Sequence, residues 1–151
     1  LRYDGPSPAN TSRNQLPTAM SGPYGVTRIV VVVPMCPHEY LNPNARPHPM
    51  AKARRVKELR TAAKYAALSV RNTCGGGVLF RGPVHVHPTI GWSKGRRTLD
   101  GDNALASLKS VFDGFTDGYL WGDDRECIYH PVEQMRDPEG LGFVRVELEA
   151  A

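Results

Sequence analysis

The sequence lacks several features that would assign a chain to a broad class at once. It has no apolar run long enough to span a membrane, because its longest, IVVVV at 29–33, has only the length of a buried strand. It also lacks the basic-then-apolar start of a signal peptide, so export is not expected. The triple glycine at 75–77 is not followed by Gly-Lys-Ser or Gly-Lys-Thr, which favours a flexible turn and argues against a nucleotide cofactor.

Cysteine is also scarce. Cys36, Cys74 and Cys127 are an odd number at unrelated positions, so they do not form a disulfide framework. A reducing cytoplasm is the simple expectation. The fragments Cys36-Pro-His38 and Cys127-Ile-Tyr-His130 leave structural zinc open as an alternative, although no Cys-x-x-Cys pair accompanies them and incidental thiols explain them more simply.

Acidic residues are nearly absent from one part of the chain and crowded into another. Residues 46–97 contain twelve Lys or Arg and one acid, whereas residues 98–151 contain four Lys or Arg and twelve Asp or Glu. The net charge of +4 therefore combines +11 and −8 in these parts with +1 in residues 1–45. The asymmetry favours phosphate binding by one part and metal binding by the other, although two solvated surfaces that neutralise each other explain the counts equally well.

Turn residues and apolar periodicity divide the chain into an arm and one domain. Residues 1–27 are rich in Pro, Ser, Asn and Gly and predict a flexible arm, followed by a domain over 28–151. We predict strands at 28–34, 82–92, 125–134 and 142–149, and helices at 50–71 and about 102–115. This order, strand-helix-strand-helix-strand-strand, predicts an α+β fold: a single mixed sheet of about four strands with two main helices packed on it.

Two of these elements have clear buried faces. The helix over 50–71 carries one apolar stripe with basic residues on its other faces; the stripe comprises Val56, Leu59, Ala63, Ala66 and Val70. In the strand over 82–92, Val84 and Val86 alternate with His85 and His87, which predicts a half-exposed strand. The two histidines could bind a metal, but exposed histidines beside a proline usually have no ligand.

The stretch RRTLDGDNALASLKSVFDGF at 96–115 puts two acids directly behind two arginines. On a helical wheel with Asp102 at zero, Lys109 falls at about 340° and Asp113 at about 20°. The apolar residues occupy a separate face: Leu105, Leu108, Phe112 and Phe115. We therefore expect Asp102, Lys109 and Asp113 to share one polar edge of a single helix, where all three could meet one ligand.

Capping and surface pairing are simpler explanations for part of this pattern. Asp102 is a good N-cap, and Asp100 favours the positive end of the helix dipole, each contributing roughly 1 kcal/mol or less. Lys109 and Asp113, four residues apart, can form an ordinary surface pair. Capping does not need Asp100 as well, however, and it does not explain the second pair of acids in WGDD at 121–124.

If the strand after WGDD pairs beside the strand that precedes Asp100, a third carboxylate could join Asp100 and Asp102. Repulsion among three carboxylates is tolerable only where a cation or a basic partner neutralises it. Carboxylate oxygens with free water positions suit Mg²⁺, with Mn²⁺ as a substitute, better than Zn²⁺. Such an ion polarises a phosphodiester, lowers the pKa of a bound water and stabilises the leaving oxygen.

At these residues the sequence resembles the RusA-type Holliday-junction resolvases, small endonucleases common in phages and prophages. The family pattern is Asp-x-Asp-Asn at the start of a helix, then Lys, then Asp-x-Leu, then a Trp-flanked Asp-Asp. Those positions are occupied here by Asp100, Asp102, Asn103, Lys109, Asp113, Asp123 and Asp124. The likeness extends more loosely over 28–150, through the first strand with its NPNARPH loop and the basic helix. Lys109 lies seven residues after Asp102, where the enterobacterial type has four.

The resemblance implies a Mg²⁺-dependent endonuclease that acts as a homodimer on branched DNA and makes one nick per subunit in a four-way junction. It implies that Asp100, Asp102 and Asp124 bind the metal, with Asp123 as the alternative third ligand. Lys109 would stabilise the charge of the pentavalent phosphate or orient the attacking water, and Asp113 would hold Lys109 or bind a second ion. Candidate DNA contacts are Lys94, Arg96, Arg97, Arg54, Arg55 and Lys57. A phage-encoded enzyme of this kind would act in the host cytoplasm.

Two other functions stay open. A non-catalytic nucleic-acid-binding module with a cation-stabilised acidic loop would bind junction or duplex DNA without cutting it. A general metal-dependent nuclease would nick linear duplex as readily as a junction. We favour the resolvase because a basic surface alone does not need three convergent acids.

Overall fold

The computed structural model describes residues 19–21, 25–75 and 77–151, which form one mixed sheet, three α-helices and two short 3-10 helices (Glu39–Leu41 and Asp124–Glu126). The strands are β1 (Ala19–Ser21), β2 (Gly25–Val33), β3 (Val84–Trp92), β4 (Cys127–Tyr129), β5 (Glu133–Arg136) and β6 (Phe143–Ala150). The helices are α1 (Pro49–Thr73), α2 (Gly101–Ser107) and α3 (Lys109–Asp117). The predicted α+β class with a single mixed sheet is confirmed, but the described part of the sheet has six strands where about four were predicted.

The strand order is β1-β2-β6-β3-β4, and β5 pairs with the second half of β3. β6 runs antiparallel to both β2 and β3, whereas β4 and β5 run parallel to β3. A parallel neighbour needs a crossover connection, which α2 and α3 supply between β3 and β4. β4 and β5 therefore lie one after the other along the same edge of β3.

Alternation along the strands places one face of the sheet in the core. In β3, Val84 and Val86 are buried while His85 and His87 stay partly exposed, as predicted. The predicted stripe of α1 is confirmed at its centre, where Leu59 and Ala63 are buried. α1 packs against β2 and α3, so the helices cover the face that carries the valines.

Glycine sets the distance between α1 and α3. A Cβ on Gly114 would clash with the Arg60 carbonyl oxygen and would lie 2.7 Å from the Ala63 Cβ. One turn later, a Cβ on Gly118 would lie 2.5 Å from the Ala67 Cβ. Only residues without a Cβ permit this approach, so Gly114 and Gly118 bring α3 against α1 more closely than other side chains would allow.

The helix predicted over about 102–115 is two helices. α2 ends at Ser107 and α3 begins at Lys109, with Leu108 between them at φ −94° and ψ 0°. The Leu108 amide bonds to the Leu105 carbonyl three residues back (3.0 Å), which tightens the last turn of α2 into 3-10 geometry and interrupts the α-helical pattern.

The interruption changes the predicted polar edge. The apolar face is confirmed, since Leu108, Phe112 and Phe115 are buried in the core. The wheel that placed Asp102 on the same edge as Lys109 and Asp113 assumed one continuous helix, however, and that assumption is wrong. Lys109 and Asp113 share an edge in the structure because both lie in α3, whereas Asp102 lies in α2.

The strand predicted over 125–134 is also interrupted, between β4 and β5. Pro131 has no amide hydrogen to donate to β3, and its ring restricts the conformation of the residue before it. The ladder therefore stops at His130, whose amide bonds to the Val86 carbonyl at 2.9 Å. A proline is tolerated here because this strand lies at the edge of the sheet.

Most of the predicted arm at 1–27 lies outside the described residues. Within it, Ala19–Ser21 forms β1 and residues 25–27 begin β2, so the prediction of a flexible arm is wrong for them. Cys36, Cys74 and Cys127 are free thiols. In the described ranges, no helix has both the length and the apolar character needed to cross a membrane.

Candidate metal and nucleic-acid site

The loop that carries Asp100 is attached to the sheet by Gln134 of β5. The Gln134 Oε1 accepts hydrogen bonds from the Leu99 amide (2.8 Å) and from Trp92 Nε1 (2.9 Å). Its Nε2 donates to the Leu99 carbonyl at 2.7 Å. The glutamine amide offers the same donor and acceptor as a peptide group, so it pairs with Leu99 as a neighbouring strand would. This pairing fixes the residue directly before Asp100.

Asp100 and Asp102 are exposed at the start of α2. Asp100 is the N-cap residue, yet its side chain makes no capping hydrogen bond and instead accepts from Asn103 Nδ2 at 3.1 Å. Asp102 lies in the first turn, so its prediction as the N-cap is wrong: the Asp100 carbonyl already accepts the Ala104 amide and starts the helix. Both carboxylates therefore keep solvent-accessible oxygens.

Lys109 and Asp113 form an ion pair on α3. The Lys109 Nζ lies 3.2 Å from Asp113 Oδ2 and 3.4 Å from Asp113 Oδ1. The prediction that these two side chains share one edge is confirmed. The Lys109 side chain is 80% exposed, so its ammonium can reach a ligand in solvent without a change of fold.

Asp123 and Asp124 precede β4 and differ in their contacts. The Asp123 Oδ1 accepts from the Arg125 amide at 2.9 Å and caps the short 3-10 helix Asp124–Glu126. Asp124 is exposed, and no hydrogen bond or ion pair engages its carboxylate among the described residues. One oxygen of Asp123 is thus occupied by the fold, which favours Asp124 as the ligand of the two.

The first half of α3 and the end of β4 meet at Tyr129. The Phe112 ring lies 4.8 Å from the Tyr129 ring, measured between centroids. Burial raises the pKa of Tyr129, and the neighbouring Cys127, Asp124 and Asp113 raise it further. Burial likewise raises the pKa of the Cys127 thiol to about 11, with Asp124 acting in the same direction. Asp113 and Asp124 therefore lie close enough to act on the same phenol.

Asp100 and Asp124, by contrast, lie toward opposite ends of β3. Asp124 leads into β4, whose first residue pairs with Val84 at the start of β3. The loop before Asp100 is bonded to Gln134, which pairs with Ile90 near the end of β3. Six residues separate these positions along β3, a distance of roughly 20 Å at the usual strand rise.

The predicted convergence of three carboxylates is therefore not formed within the described chain. The strand after WGDD does pair beside β3, but in parallel, which places its start at the far end from the Asp100 loop. In residues 19–21, 25–75 and 77–151 there is no group of three or more His, Cys, Asp or Glu side chains placed to hold a metal ion. The metal site stays a prediction, with Asp100 and Asp102 as its nearest pair.

The predicted DNA contacts fall into two groups. Four are exposed at the surface: Lys94, Arg97, Arg54 and Lys57. Arg55 is paired with Glu58 at 3.2 Å. Arg96 donates from Nη1 to the Pro37 carbonyl (2.8 Å) and lies 5.0 Å from the centre of the Trp92 ring. Arg96 thus joins the loop after β3 to the loop after β2, and much of its role is structural.

Two loop-forming residues were not predicted from the sequence. Gln134 is hydrogen-bonded to Leu99, but nothing in the sequence indicates this contact, because the two residues are thirty-five positions apart. Asp137 is 2% exposed and accepts from the amides of Glu139, Leu141 and Gly142. The segment DPEG beginning at Asp137 does carry a turn signal, since Asp before Pro and Gly commonly orders a loop through its own carboxylate.

A cluster of three histidines was also missed. His85 Nδ1 and His130 Nε2 are joined by a 2.8 Å hydrogen bond, and the His87 ring stacks on His130 with centroids 4.0 Å apart. Burial lowers the pKa of His130, and His87 and His85 lower it further. The cluster lies on the sheet face opposite the helices. His130 joins it because β4 is parallel to β3, which spacing alone could not predict.

No protein-family model matches the chain, and no curated protein is significantly similar to it. The likeness to RusA-type resolvases therefore rests on the residues of the motif alone and stays a prediction.

Proposed function

We propose that the chain is a RusA-type endonuclease that cuts four-way DNA junctions as a homodimer, with Mg²⁺ as its metal. The observation that supports this most directly is that Asp100 and Asp102 are exposed carboxylates with little structural role. Asp100 makes no capping bond, Asp102 is not the cap, and the loop before them is held by Gln134. An anchored loop that presents two accessible carboxylates suits a metal-dependent site.

The donor set at this loop fits Mg²⁺. In many phosphate-processing sites Mg²⁺ is held by one or two carboxylates, and water and substrate oxygens complete its coordination. Asp100 and Asp102 meet that requirement without a third protein ligand. The ion, when bound, would supply a Lewis acid for the phosphodiester. Asp124 belongs with Asp113 beside Tyr129, and joins the metal site only if DNA or the second subunit brings it there.

The remaining charged residues would bind and orient the strand. Lys109 is exposed and can neutralise charge that develops on the reacting phosphate. Four exposed basic side chains would bind phosphates of the DNA backbone: Lys94, Arg97, Arg54 and Lys57. A homodimer presents two such sites related by a two-fold axis, which matches the approximate two-fold symmetry of a four-way junction.

The test is a cleavage assay on a synthetic four-way junction beside a matched linear duplex, with Mg²⁺ or with EDTA, followed by mapping of the nicks. We expect paired symmetric nicks in the junction that require Mg²⁺. The Asp102→Asn variant should bind the junction normally and leave it uncut. Glu126→Gln, which neutralises an exposed acid outside the motif, is the matched control and should cut as the wild type does.

Three results would contradict the proposal. Cleavage by Asp102→Asn at the wild-type rate would remove this residue from the site. Equal nicking of junction and linear duplex would favour the general nuclease. Binding that survives EDTA, with no strand scission under any divalent ion, would favour the non-catalytic binding module. The separation of Asp124 from Asp100 along β3 is the observation that keeps this last function in contention.

A further inference from the structure

A cleft of about 290 Å³ lies between the first half of α1 and the junction of α2 with α3. Its walls combine apolar side chains, Leu41 and Val56, with the polar residues Lys52, Lys109 and Ser110. At about 30 Å³ for each water, this volume holds roughly ten water molecules, and so it can hold a phosphate group with part of its hydration. The proposed nuclease activity makes no use of Lys52 or Ser110.

Ser110 is a buried hydroxyl without a hydrogen-bond partner. The residue is 5% exposed and lines the cleft, and its Oγ makes no hydrogen bond. Helical hydroxyls commonly bond to the carbonyl four residues back, as Thr116 does to Phe112 at 3.1 Å, but Ser110 does not. Buried hydroxyls are nearly always paired in folded proteins. The Ser110 hydroxyl is therefore a donor for which the described chain supplies no acceptor.

The first amides of α3 lie at the same place. The Val111 and Phe112 amides bond to the Leu108 carbonyl, so the first turn of α3 lies beside Ser110. Leu108 precedes the helix and has no side-chain group to cap it. The positive end of a helix dipole favours an anion. It points to the same class of ligand as the Ser110 hydroxyl.

The charges around the cleft also favour an anion. Lys52 and Lys109 contribute two positive charges, and Asp113 contributes one negative charge that is already paired with Lys109 at 3.2 Å. None of the ion pairs among the described residues includes Lys52, so its positive charge is not neutralised by a paired acid. One positive charge beside a hydroxyl donor at the start of a helix suits the oxygens of a phosphate better than a cation or an apolar ligand.

We propose that this cleft binds a phosphate group, with the Ser110 hydroxyl as a donor and Lys52 as the counter-charge. In a complex with DNA the phosphate would be one of the strand backbone. The site needs no metal ion and no cleavage, so it does not depend on the proposed nuclease activity. It would place α1 and α3 on the same strand.

The test has two arms. In the first, inorganic phosphate is titrated into the ¹⁵N-labelled chain at constant ionic strength, with chloride as the reference anion, and the Lys109 and Ser110 amide resonances are followed. In the second, a single-stranded oligonucleotide replaces phosphate. We expect saturable shifts of these two resonances in at least one arm. If only inorganic phosphate shifts them, the ligand is free phosphate. If only the oligonucleotide shifts them, the ligand is a phosphate of the strand backbone.

Substitutions make the test specific. Ser110→Ala should weaken binding roughly tenfold, because a hydrogen bond to a charged group is lost, while thermal stability is kept or increased. Lys52→Gln should lower the salt dependence of oligonucleotide affinity by about one unit of slope. Lys64→Gln, which removes an exposed lysine from the same helix away from the cleft, is the control and should leave the amide shifts unchanged.

The proposal is overturned if neither ligand shifts the two amides saturably, or if Ser110→Ala and Lys52→Gln bind as the wild type does. Its failure is distinct from failure of the proposed function. If both variants still cut the junction and no ligand shifts the two amides, the phosphate site is refuted while the proposed nuclease activity stands. If phosphate shifts the two amide resonances but the chain does not cut DNA, the nuclease activity is refuted while the phosphate site stands.

Discussion

The Lys109 ammonium lies 3.2 Å from the Asp113 carboxylate, one turn further along α3. The two side chains differ in exposure, at 80% for Lys109 and 28% for Asp113, so the acid is the better fixed of the two. An exposed pair at this spacing contributes only about 0.3–0.5 kcal/mol to stability. Both side chains line the cleft between α1 and α3, and removal of the pair should cost the fold little.

For the proposed endonuclease, Lys109→Gln should therefore lower the rate of junction cleavage far more than it lowers stability. Loss of a cation that stabilises developing charge costs roughly 10²- to 10³-fold in rate. The melting temperature should change by no more than loss of a surface pair predicts. Single-turnover cleavage and thermal unfolding measured on the same preparation check this, and Lys64→Gln again serves as the control. A matched loss of stability and rate would mean that Lys109 has only a structural role.

Much of this fold could be predicted because its buried faces follow the periods of helix and strand. The alternation in β3 and the apolar residues Leu108, Phe112 and Phe115 lie in the core as predicted. The break at Leu108 could not be predicted, because it depends on one local 3-10 hydrogen bond from Leu108 to Leu105. The apolar spacing of this segment is the same as that of a continuous α-helix. β1 is a three-residue edge strand inside a Pro- and Gly-rich segment, and too short to show a period.

Gln134 offers a test of how the Asp100 loop is positioned. Gln134→Met keeps the length of the side chain and removes its hydrogen bonds to Leu99 and Trp92. We expect faster hydrogen exchange at the Leu99 amide and a higher Mg²⁺ concentration for half-maximal cleavage, because Asp100 is then less well held. Junction affinity should change little, since Gln134 contacts none of the exposed basic residues.

Gln134→Glu is the informative partner variant. It keeps an acceptor for the Leu99 amide but loses the donor to the Leu99 carbonyl, so it should fall between the wild type and Gln134→Met. If both variants bind Mg²⁺ and cut as the wild type does, the loop does not need this anchor. If both simply unfold at lower temperature with an unchanged Mg²⁺ requirement, the role of Gln134 is structural.

The candidate site was harder to predict than the fold, because it depends on strand direction. The residue types of the motif stay a prediction, although Asp100, Asp102 and Lys109 are all exposed. Convergence with Asp124 required its strand to start near the end of β3, whereas parallel pairing puts it at the beginning. Arg96 shows the same difficulty, because a basic residue bonded to a distant carbonyl looks like any other arginine in the sequence.

Gly114 tests the packing of α1 on α3. In Gly114→Ala the new Cβ would clash with the Arg60 carbonyl oxygen, and a backbone atom within a long helix cannot move aside cheaply. We expect a loss of roughly 1–3 kcal/mol in the free energy of unfolding. Gly82→Ala is the matched control, because no atom lies within 4 Å of the point that a Cβ on Gly82 would occupy. Denaturant unfolding of both variants checks this, and equal stabilities would show that the helices separate readily.

The histidine cluster predicts how stability depends on pH. The pKa of His130 is lowered by burial first and then by His87 and His85, so the folded chain resists a proton that the unfolded chain accepts. Stability should be full above about pH 6.5, the ordinary pKa of histidine, and should fall as the pH drops toward the lowered value. Glu147 and Glu149 of β6 lie opposite His87 and His85 in the register of the sheet, so acidic residues also face this cluster.

His130→Gln should make this dependence shallower without abolishing it. The pKa of His38 is also lowered, by burial first and then by Arg55, and it contributes a loss of stability in the same direction. Denaturant unfolding between about pH 7 and pH 5, with imidazole titrations by NMR on the folded protein, measures both contributions. A slope in His130→Gln equal to that of the wild type, or one that becomes steeper, would show that His130 does not resist protonation in the folded chain as its lowered pKa implies.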